Sequence, residues 1–246
     1  MEEKPLVRAV ERALDVLLCF VKEKELSLTE LAQRTSLHKS TVHRLLASLE
    51  HKGFVTRDPV TEKYRLGLRI WELSANLLRG DDPASILLPE MERLRDQLGE
   101  TVSLYIRDGL DRIRIQAVQS LQAIRRVAPL GVRLPLYVGA SSKVLVAFGE
   151  PDLVNKVLAD PSCPPALNKD QFRQQLAEIR RLGYATSVEE REPGAAAVAV
   201  PVYGRSGKLV AALCVSGPSN RMTLDVMREQ APHVMEAARR MSSMLD

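Results

Sequence analysis

Between Ser27 and Leu66 two helical signals and a hairpin signal follow one another with almost no room between them, and this spacing restricts the fold more than any other feature of the chain. Ser27-Leu28-Thr29-Glu30 is a capping box. The Ser27 hydroxyl is placed to accept from the Glu30 amide, and the Glu30 carboxylate to reach back to the Ser27 amide. The helix it starts is short, with Leu28, Leu31 and Ala32 on its apolar face and an end near Thr35-Ser36. The next helix follows at once. Val42, Leu45, Leu46 and Leu49 recur at the spacing of one buried face, and Gly53 stops it. Phe54 to Arg57 and Lys63 to Leu66 then read as two short strands joined by Asp58-Pro59-Val60-Thr61-Glu62. Upstream, Val10, Ala13, Leu14, Leu17, Leu18 and Val21 repeat at helical spacing and predict a first, amphipathic helix. Helix, helix, tight turn, helix, hairpin is the order of a winged helix-turn-helix.

The polar residues of this segment fit nucleic acid. His38 precedes the third helix, and Lys39, Ser40, Thr41, His43 and Arg44 lie on its outward side with Ala47 and Ser48. No acidic residue occurs between Glu30 and Glu50. A recognition helix needs donors and small side chains near its N-terminus and no carboxylate facing phosphate. Arg44 has the fork that bonds guanine, and Ser40 and Thr41 can bond phosphate or a base edge. Arg57, Lys63 and Arg65 on the hairpin are candidates for backbone phosphate or the minor groove. A charged helical face is by default a solvated one. The ordered set of signals, and a net charge of +4, favour double-stranded DNA as the partner.

From Leu68 to Arg79 a helix is apolar on two sides. Leu68, Trp71, Ala75 and Leu78 form one stripe, and Ile70, Leu73 and Leu77 the other. A lone surface helix keeps one face polar, so this one is expected against a neighbouring subunit, in a homodimer or a homotetramer. Gly80-Asp81-Asp82-Pro83 breaks the pattern. The expected division is residues 1–66 as winged helix-turn-helix, 67–82 as linker helix and 83–246 as a second domain. In that domain a helix is expected over 84–98, strands over 102–106, 112–119 and 123–128, helices over 141–148, 152–158 and 169–182, strands over 184–188, 195–203 and 209–216, and a helix over 224–245 capped by Thr223. Strands on either side of a helical middle predict an α+β domain with a largely antiparallel sheet.

Other classes find little support. Cys19, Cys163 and Cys214 form no C-x-x-C pair, the N-terminus lacks a signal-peptide layout, and no apolar run approaches the roughly 20 residues of a membrane span. A cytoplasmic protein with reduced thiols is expected. There is no nucleophile elbow, phosphate-binding Walker loop or H-E-x-x-H motif. Glu189-Glu190, even with His233, reads as surface carboxylate, so no enzyme, cofactor or metal is predicted. The alternatives are a small-molecule-binding enzyme and an architectural DNA-binding protein without an effector.

One further stretch carries chemistry. In Tyr137-Val138-Gly139-Ala140-Ser141-Ser142-Lys143 small residues lead into a helix, which exposes backbone amides at its N-terminus as a ready anion site. Plain capping by Ser141 and Ser142 is the competing reading, and Cys214 reads as a small buried strand residue.

Arg12-Ala13-Leu14-Asp15-Val16-Leu17, Leu28-Thr29-Glu30-Leu31-Ala32, the run from Ser40 to Leu49 and Tyr64-Arg65-Leu66-Gly67 resemble the DNA-binding domain of the IclR family of bacterial regulators. Pro135-Leu136-Tyr137, Ser142-Lys143, Gly183-Tyr184-Ala185, Glu189-Glu190, Ala199-Val200-Pro201-Val202 and Val215-Ser216-Gly217-Pro218 resemble landmarks of its C-terminal half. The resemblance covers nearly the whole chain. It implies a GAF-like effector domain, a dimer built through the N-terminal domain and linker helix, and often a dimer of dimers. It also implies that the amides of Ala140 and Ser141 hold an effector carboxylate, with Ser187, Ala197, Cys214 and Ser216 around it. Members that bind small oxo-acids place a carboxylate near Ser187 and a thiol near Ala197. The hydroxyl and methyl found here predict a less acidic, roomier cavity for an organic or aromatic acid.

Overall fold

A computed structural model describes residues 6–21, 23–77, 82–127 and 129–245. The chain divides into two compact units, Met1–Gly80 and Asp81–Asp246.

The first unit contains α1 (Arg8–Leu18), a 3-10 turn (Cys19–Val21), α2 (Leu28–Thr35), α3 (Lys39–His51), β1 (Val55–Arg57), β2 (Tyr64–Leu66) and α4 (Leu68–Leu77). The capping box forms. The Glu30 amide donates to Ser27 Oγ at 3.3 Å, and the Ser27 amide donates to the Glu30 carboxylate at 2.7 Å. Ser36, with φ of +53°, ends α2 in the left-handed region, which leaves only Leu37 and His38 before α3. Val16, Phe20, Leu26, Leu31, Val42, Leu46, Val55 and Tyr64 form the core, and each fully buried aliphatic side chain there contributes about 1.5–3 kcal/mol relative to exposure. Leu26 and Tyr64 exchange backbone hydrogen bonds of 2.9 and 2.8 Å, which ties the start of α2 to the wing. Gly67 runs so close to Gly53 that a Cβ on Gly67 would lie 2.2 Å from the Gly53 carbonyl oxygen. No larger residue fits between wing and α4.

The apolar stripes of α1 and α4 lie largely outside the core of this unit. In α1 the buried side chain is Val16, joined by Phe20 of the 3-10 turn, whereas Val10, Leu14, Leu18 and Val21 are 55, 53, 64 and 51% exposed. The chain's own core takes mainly the neighbouring face, with Leu17 of the stripe packed against it. In α4, Leu68, Trp71 and Leu73 are likewise exposed, at 81, 71 and 53%. The predicted end of that helix at Arg79 and the break at Gly80-Asp81 lie outside the described residues.

The second unit contains α5 (Pro83–Ile86), α6 (Leu88–Leu98), β3 (Thr101–Asp108), β4 (Asp111–Val118), β5 (Arg133–Pro135), α7 (Ala140–Ala147), α8 (Leu153–Ala159), α9 (Lys169–Leu182), β6 (Ala185–Val188), β7 (Ala195–Tyr203), β8 (Leu209–Pro218) and α10 (Leu224–Ser242). The six strands form one sheet in the order β5-β4-β3-β8-β7-β6, with antiparallel neighbours throughout. This is the α+β class with the antiparallel sheet that the pattern predicted. Alternation along β7 and β8 sorts side chains by size. Val198, Val200, Val202, Leu213 and Val215 join the core beneath α6 and α10, while Ala199, Ala212 and Cys214 face the core of α7, α8 and α9. Small residues on that side let α7 lie close, and all eight of its residues are buried.

Two expectations fail here. The helix over 84–98 is two helices, α5 and α6, with Leu87 between them and Pro89 in the first turn of α6, where its missing N–H does no harm. No strand covers the described part of 123–128. Leu121, Ile124 and Val127 are exposed, and the backbone is held instead by side chains. Thr101 Oγ1 donates to the Arg126 carbonyl at 3.1 Å, and Arg221 donates to the Ile124 carbonyl at 2.8 Å. The edge beyond β4 belongs to β5.

Candidate functional site

The outward side of α3 begins at its N-cap. His38, Lys39, Ser40, His43 and Arg44 are exposed and Thr41 is half-buried, opposite the buried Val42 and Leu46. His38 adopts ordinary extended backbone and makes no side-chain cap, so its ring is free for other contacts. Among the described residues Lys39 and Arg44 meet no carboxylate. On the wing Arg57, Lys63 and Arg65 are exposed. Arg57 differs from the others, because Glu62 pairs with it at 2.9 Å and the Tyr64 ring lies 5.7 Å from its guanidinium carbon.

In the second unit the structure brings Ala140, Ser141, Ser187, Ala197, Cys214 and Ser216 around one cavity of about 40 Å³. Register explains this. Ser187 pairs with Ala197 across β6 and β7, and Ala197 pairs with Ser216 across β7 and β8. The N-terminus of α7 closes one end. Gly139 caps it with φ of +91°, a conformation suited to glycine. Helix geometry leaves the first-turn amides of Ala140 and Ser141 without intrahelical acceptors. Burial pushes the Cys214 thiol up from its ordinary pKa, against the opposing pull of Arg112, so the group is a neutral thiol.

Five further residues of the wall matter chemically. They are Tyr105, Arg112, Arg126, Glu190 and Glu192, and Arg191 lines the cavity beside them. Arg112 is buried at 4% exposure. Its Nη1 donates to Ser141 Oγ at 2.7 Å, and its guanidinium carbon lies 5.1 Å from the Tyr105 ring centroid. Glu190 accepts from the Gly139 amide at 3.0 Å and pairs with Lys143. Glu192 pairs with Arg126 at 2.8 Å and with Arg191. The cavity expected to be less acidic and roomier is small, about 40 Å³, and arginine and tyrosine stand in its wall beside Glu190 and Glu192. Glu190 is also more than a surface carboxylate. His233 lies elsewhere, bonded to Gln97 at 3.1 Å.

Comparison with known proteins now decides the family. Residues 9–59 match the IclR helix-turn-helix domain, and residues 76–243 match the bacterial transcriptional regulator IclR C-terminal domain. The chain belongs to the IclR family. It is 31% identical to the HTH-type transcriptional regulator KdgR of Escherichia coli (strain K12), covering 97% of this chain and 93% of KdgR. It is 32% identical to the HTH-type transcriptional repressor AllR of the same strain, with 97 and 90% covered. The crystal structure of an IclR homolog complexed with 4-hydroxybenzoate, from Microbacterium hydrocarbonoxydans, has a TM-score of 0.82 at 26% identity and covers 96% of this chain and 98% of that one.

As an IclR-type transcriptional regulator the chain pairs a helix-turn-helix with an effector-binding domain, and it is a regulator rather than an enzyme. No described helix is long and apolar enough to cross a membrane. Within this IclR chain Arg112 escaped the sequence reading for a definite reason. Arg112 and Arg114 alternate with Ile113 and Ile115 along β4, which reads as the wet side of a half-covered sheet. Helices cover both faces of this sheet, so the wet side is the inside of a cavity.

Proposed function

We propose that this IclR regulator reads a palindromic operator as a two-fold dimer and that a small organic or aromatic acid controls it. The exposed, acid-free face of α3 carries the DNA half of this reading. Arg44 bonds a base edge in the major groove, while His38, Lys39, Ser40, Thr41 and His43 bond neighbouring edges and phosphates. Arg57, Lys63 and Arg65 hold the backbone from the wing. The dimer rests on apolar surface that the chain leaves uncovered, the α1 stripe of Val10, Leu14, Leu18 and Val21 and the α4 residues Leu68, Trp71 and Leu73. A two-fold axis through such a seam sets two recognition helices on two half-sites.

The sensing half rests on the buried N-terminus of α7 facing a cavity. The effector's carboxylate lies on the amides of Ala140 and Ser141, Ser187 and Ser216 orient it, and Ala197 and Cys214 line its apolar side. The homolog that holds 4-hydroxybenzoate supports an aromatic acid. In this reading residues 1–66 read DNA, 83–246 sense the acid and 67–82 couple the two, in the cytoplasm where the three cysteines stay reduced. The effector acts through its differential affinity for two arrangements of the dimer.

Two variants test both halves at once. Arg44→Ala is expected to weaken operator binding in footprinting by about 1–3 kcal/mol and to leave acid binding unchanged. Ser141→Trp fills the cavity and is expected to abolish acid binding in calorimetry while ligand-free operator affinity survives. Full operator affinity in Arg44→Ala removes α3 as the reading head. Parental acid affinity in Ser141→Trp moves the pocket elsewhere.

A further inference from the structure

The electrostatics around α7 are incomplete. A helix N-terminus carries the positive end of the macrodipole and favours an anion. Here a buried cation stands at it. The Arg112 guanidinium is packed against Gly139, so that a Cβ on Gly139 would lie 3.1 Å from both Nη1 and Nη2. The carboxylates nearby are committed to other groups. Glu190 serves Lys143 and the Gly139 amide, and Glu192 serves Arg126 and Arg191. Arg112 has one hydrogen bond, to the neutral Ser141 hydroxyl, and its buried Nε has no acceptor among the described residues. An arginine remains charged even when buried. The Tyr105 ring and the field of Glu190 offset part of the desolvation, but no carboxylate among the described residues is hydrogen-bonded to it, and a buried charge so placed is costly. Dipole and guanidinium are therefore two unfavourable positive fields aimed at the same small volume, and one anion relieves both.

We infer that Arg112 is the charge partner of the effector's carboxylate and the residue that selects an acid over its neutral amide. This rests on the effector cavity proposed above and assigns the specificity within it. Ser141 then has two tasks, its amide donating to the carboxylate and its hydroxyl holding one arm of the guanidinium. The other arm is left for a paired contact with a planar carboxylate. Tyr105 supports the guanidinium from below, which keeps it oriented while the site is empty.

The test uses the full-length protein with Arg112→Met, Arg112→Lys and Ser141→Trp. Its probes are benzoate, 4-hydroxybenzoate and succinate, each with its amide. Two results are expected. Without ligand, Arg112→Met melts at or above the parent temperature, because an apolar side chain of similar size replaces an unpaired buried cation. With ligand, the acid that binds the parent loses about 10- to 100-fold in affinity in Arg112→Met, the preference for acid over amide disappears, and Arg112→Lys recovers part of both. Ligand-free Arg112→Met that melts several degrees low makes Arg112 a structural cation and overturns the inference. So does an acid that Arg112→Met binds as tightly as the parent does, an amide that the parent binds as well as the acid, or a parent that no acid of the set stabilises. If Ser141→Trp abolishes binding while Arg112→Met keeps it, only the role of Arg112 falls. If Ser141→Trp binds normally, the cavity itself falls.

Discussion

Two helix N-termini in this protein are dressed with cations, and they differ in one respect. At α3, Lys39 and Arg44 stand in water. At α7, Arg112 is buried against Gly139 and Tyr105. An exposed unpaired cation is hydrated and costs the fold almost nothing, and in the proposed reading α3 meets a large polyanion and releases counterions. A buried cation with no carboxylate hydrogen-bonded to it is costly, and in the same reading α7 is matched to a small anion that neutralises it. On that proposal the same two elements, a positive helix end and a guanidinium, make a surface for DNA in one unit and a receptor for an acid in the other. Hydration decides which.

The largest expected effect concerns subunits. In the proposed reading the α3 site needs a second copy to reach two half-sites, whereas all the cavity residues named above come from one chain. Leu14→Asp with Leu18→Asp places carboxylates on surface that is 53 and 64% exposed in the single chain, so the fold tolerates them and an apolar seam does not. Light scattering is expected to give a monomer, and operator affinity is expected to fall about 10²- to 10⁴-fold as the second recognition helix is no longer tethered. Acid binding stays at the parental level. A double variant that remains dimeric would move the seam away from α1. One that loses acid binding as well would show that the cavity depends on the partner.

Backbone requirements give the next effect. Gly139 holds φ of +91° with the guanidinium 3.1 Å from its virtual Cβ. Gly139→Ala is expected to cost about 1–3 kcal/mol of stability, read by calorimetric melting, and to weaken acid binding by displacing Arg112. His38, at the same position of α3, has ordinary extended angles and caps nothing with its side chain. His38→Ala should therefore leave the melting temperature where it is and affect only DNA. Equal melting losses in the two variants would erase this distinction.

The two sites were also unequally legible in the sequence. The α3 face is local. Ser27 and Glu30, then Val42 and Leu46, are separated by one helical turn, so periodicity and capping alone orient Lys39 and Arg44 outward. The cavity draws on Tyr105, Arg112, Gly139, Ser187, Glu190 and Cys214, which only the order β4-β3-β8-β7-β6 brings together. Small residues before a helix are a local signal and marked the α7 N-terminus, but only the resemblance to the IclR family singled out Ala140 and Ser141 and put Ser187, Ala197, Cys214 and Ser216 around them. Arg112 was not visible, since alternation along β4 shows two faces and cannot tell water from a polar cavity. The α1 stripe shows a related limit. Val10, Leu14 and Leu18 mark an apolar face, but their spacing does not say whether this chain or another one covers it. Over 123–128 the residues imitated a strand, while side chains of Thr101 and Arg221 bond the carbonyls of Arg126 and Ile124.

The smallest effect separates the wing cations from one another. Each phosphate neutralised contributes about 0.9 to the slope of log affinity against log salt concentration. Lys63→Ala and Arg65→Ala are each expected to lower that slope by about this amount if the residue holds one phosphate. Arg57 begins from a different state, paired with Glu62 at 2.9 Å and stacked on Tyr64. To meet a phosphate it must give up part of an existing pair, so Arg57→Ala is expected to change the slope less than Lys63→Ala does. Glu62→Gln releases Arg57 and is expected to steepen the parental slope. Operator titrations over a potassium chloride series provide the measurement. Equal slopes for Arg57→Ala and Lys63→Ala would mean that the Glu62 pair is too weak in water to matter, as exposed pairs often are. Acid binding measured over the same salts should stay nearly flat, because buried partners are screened far less than exposed ones. An acid affinity that falls as steeply as operator affinity would place Arg112 in water, and the difference between the two helix ends would then lie in their ligands rather than in their hydration.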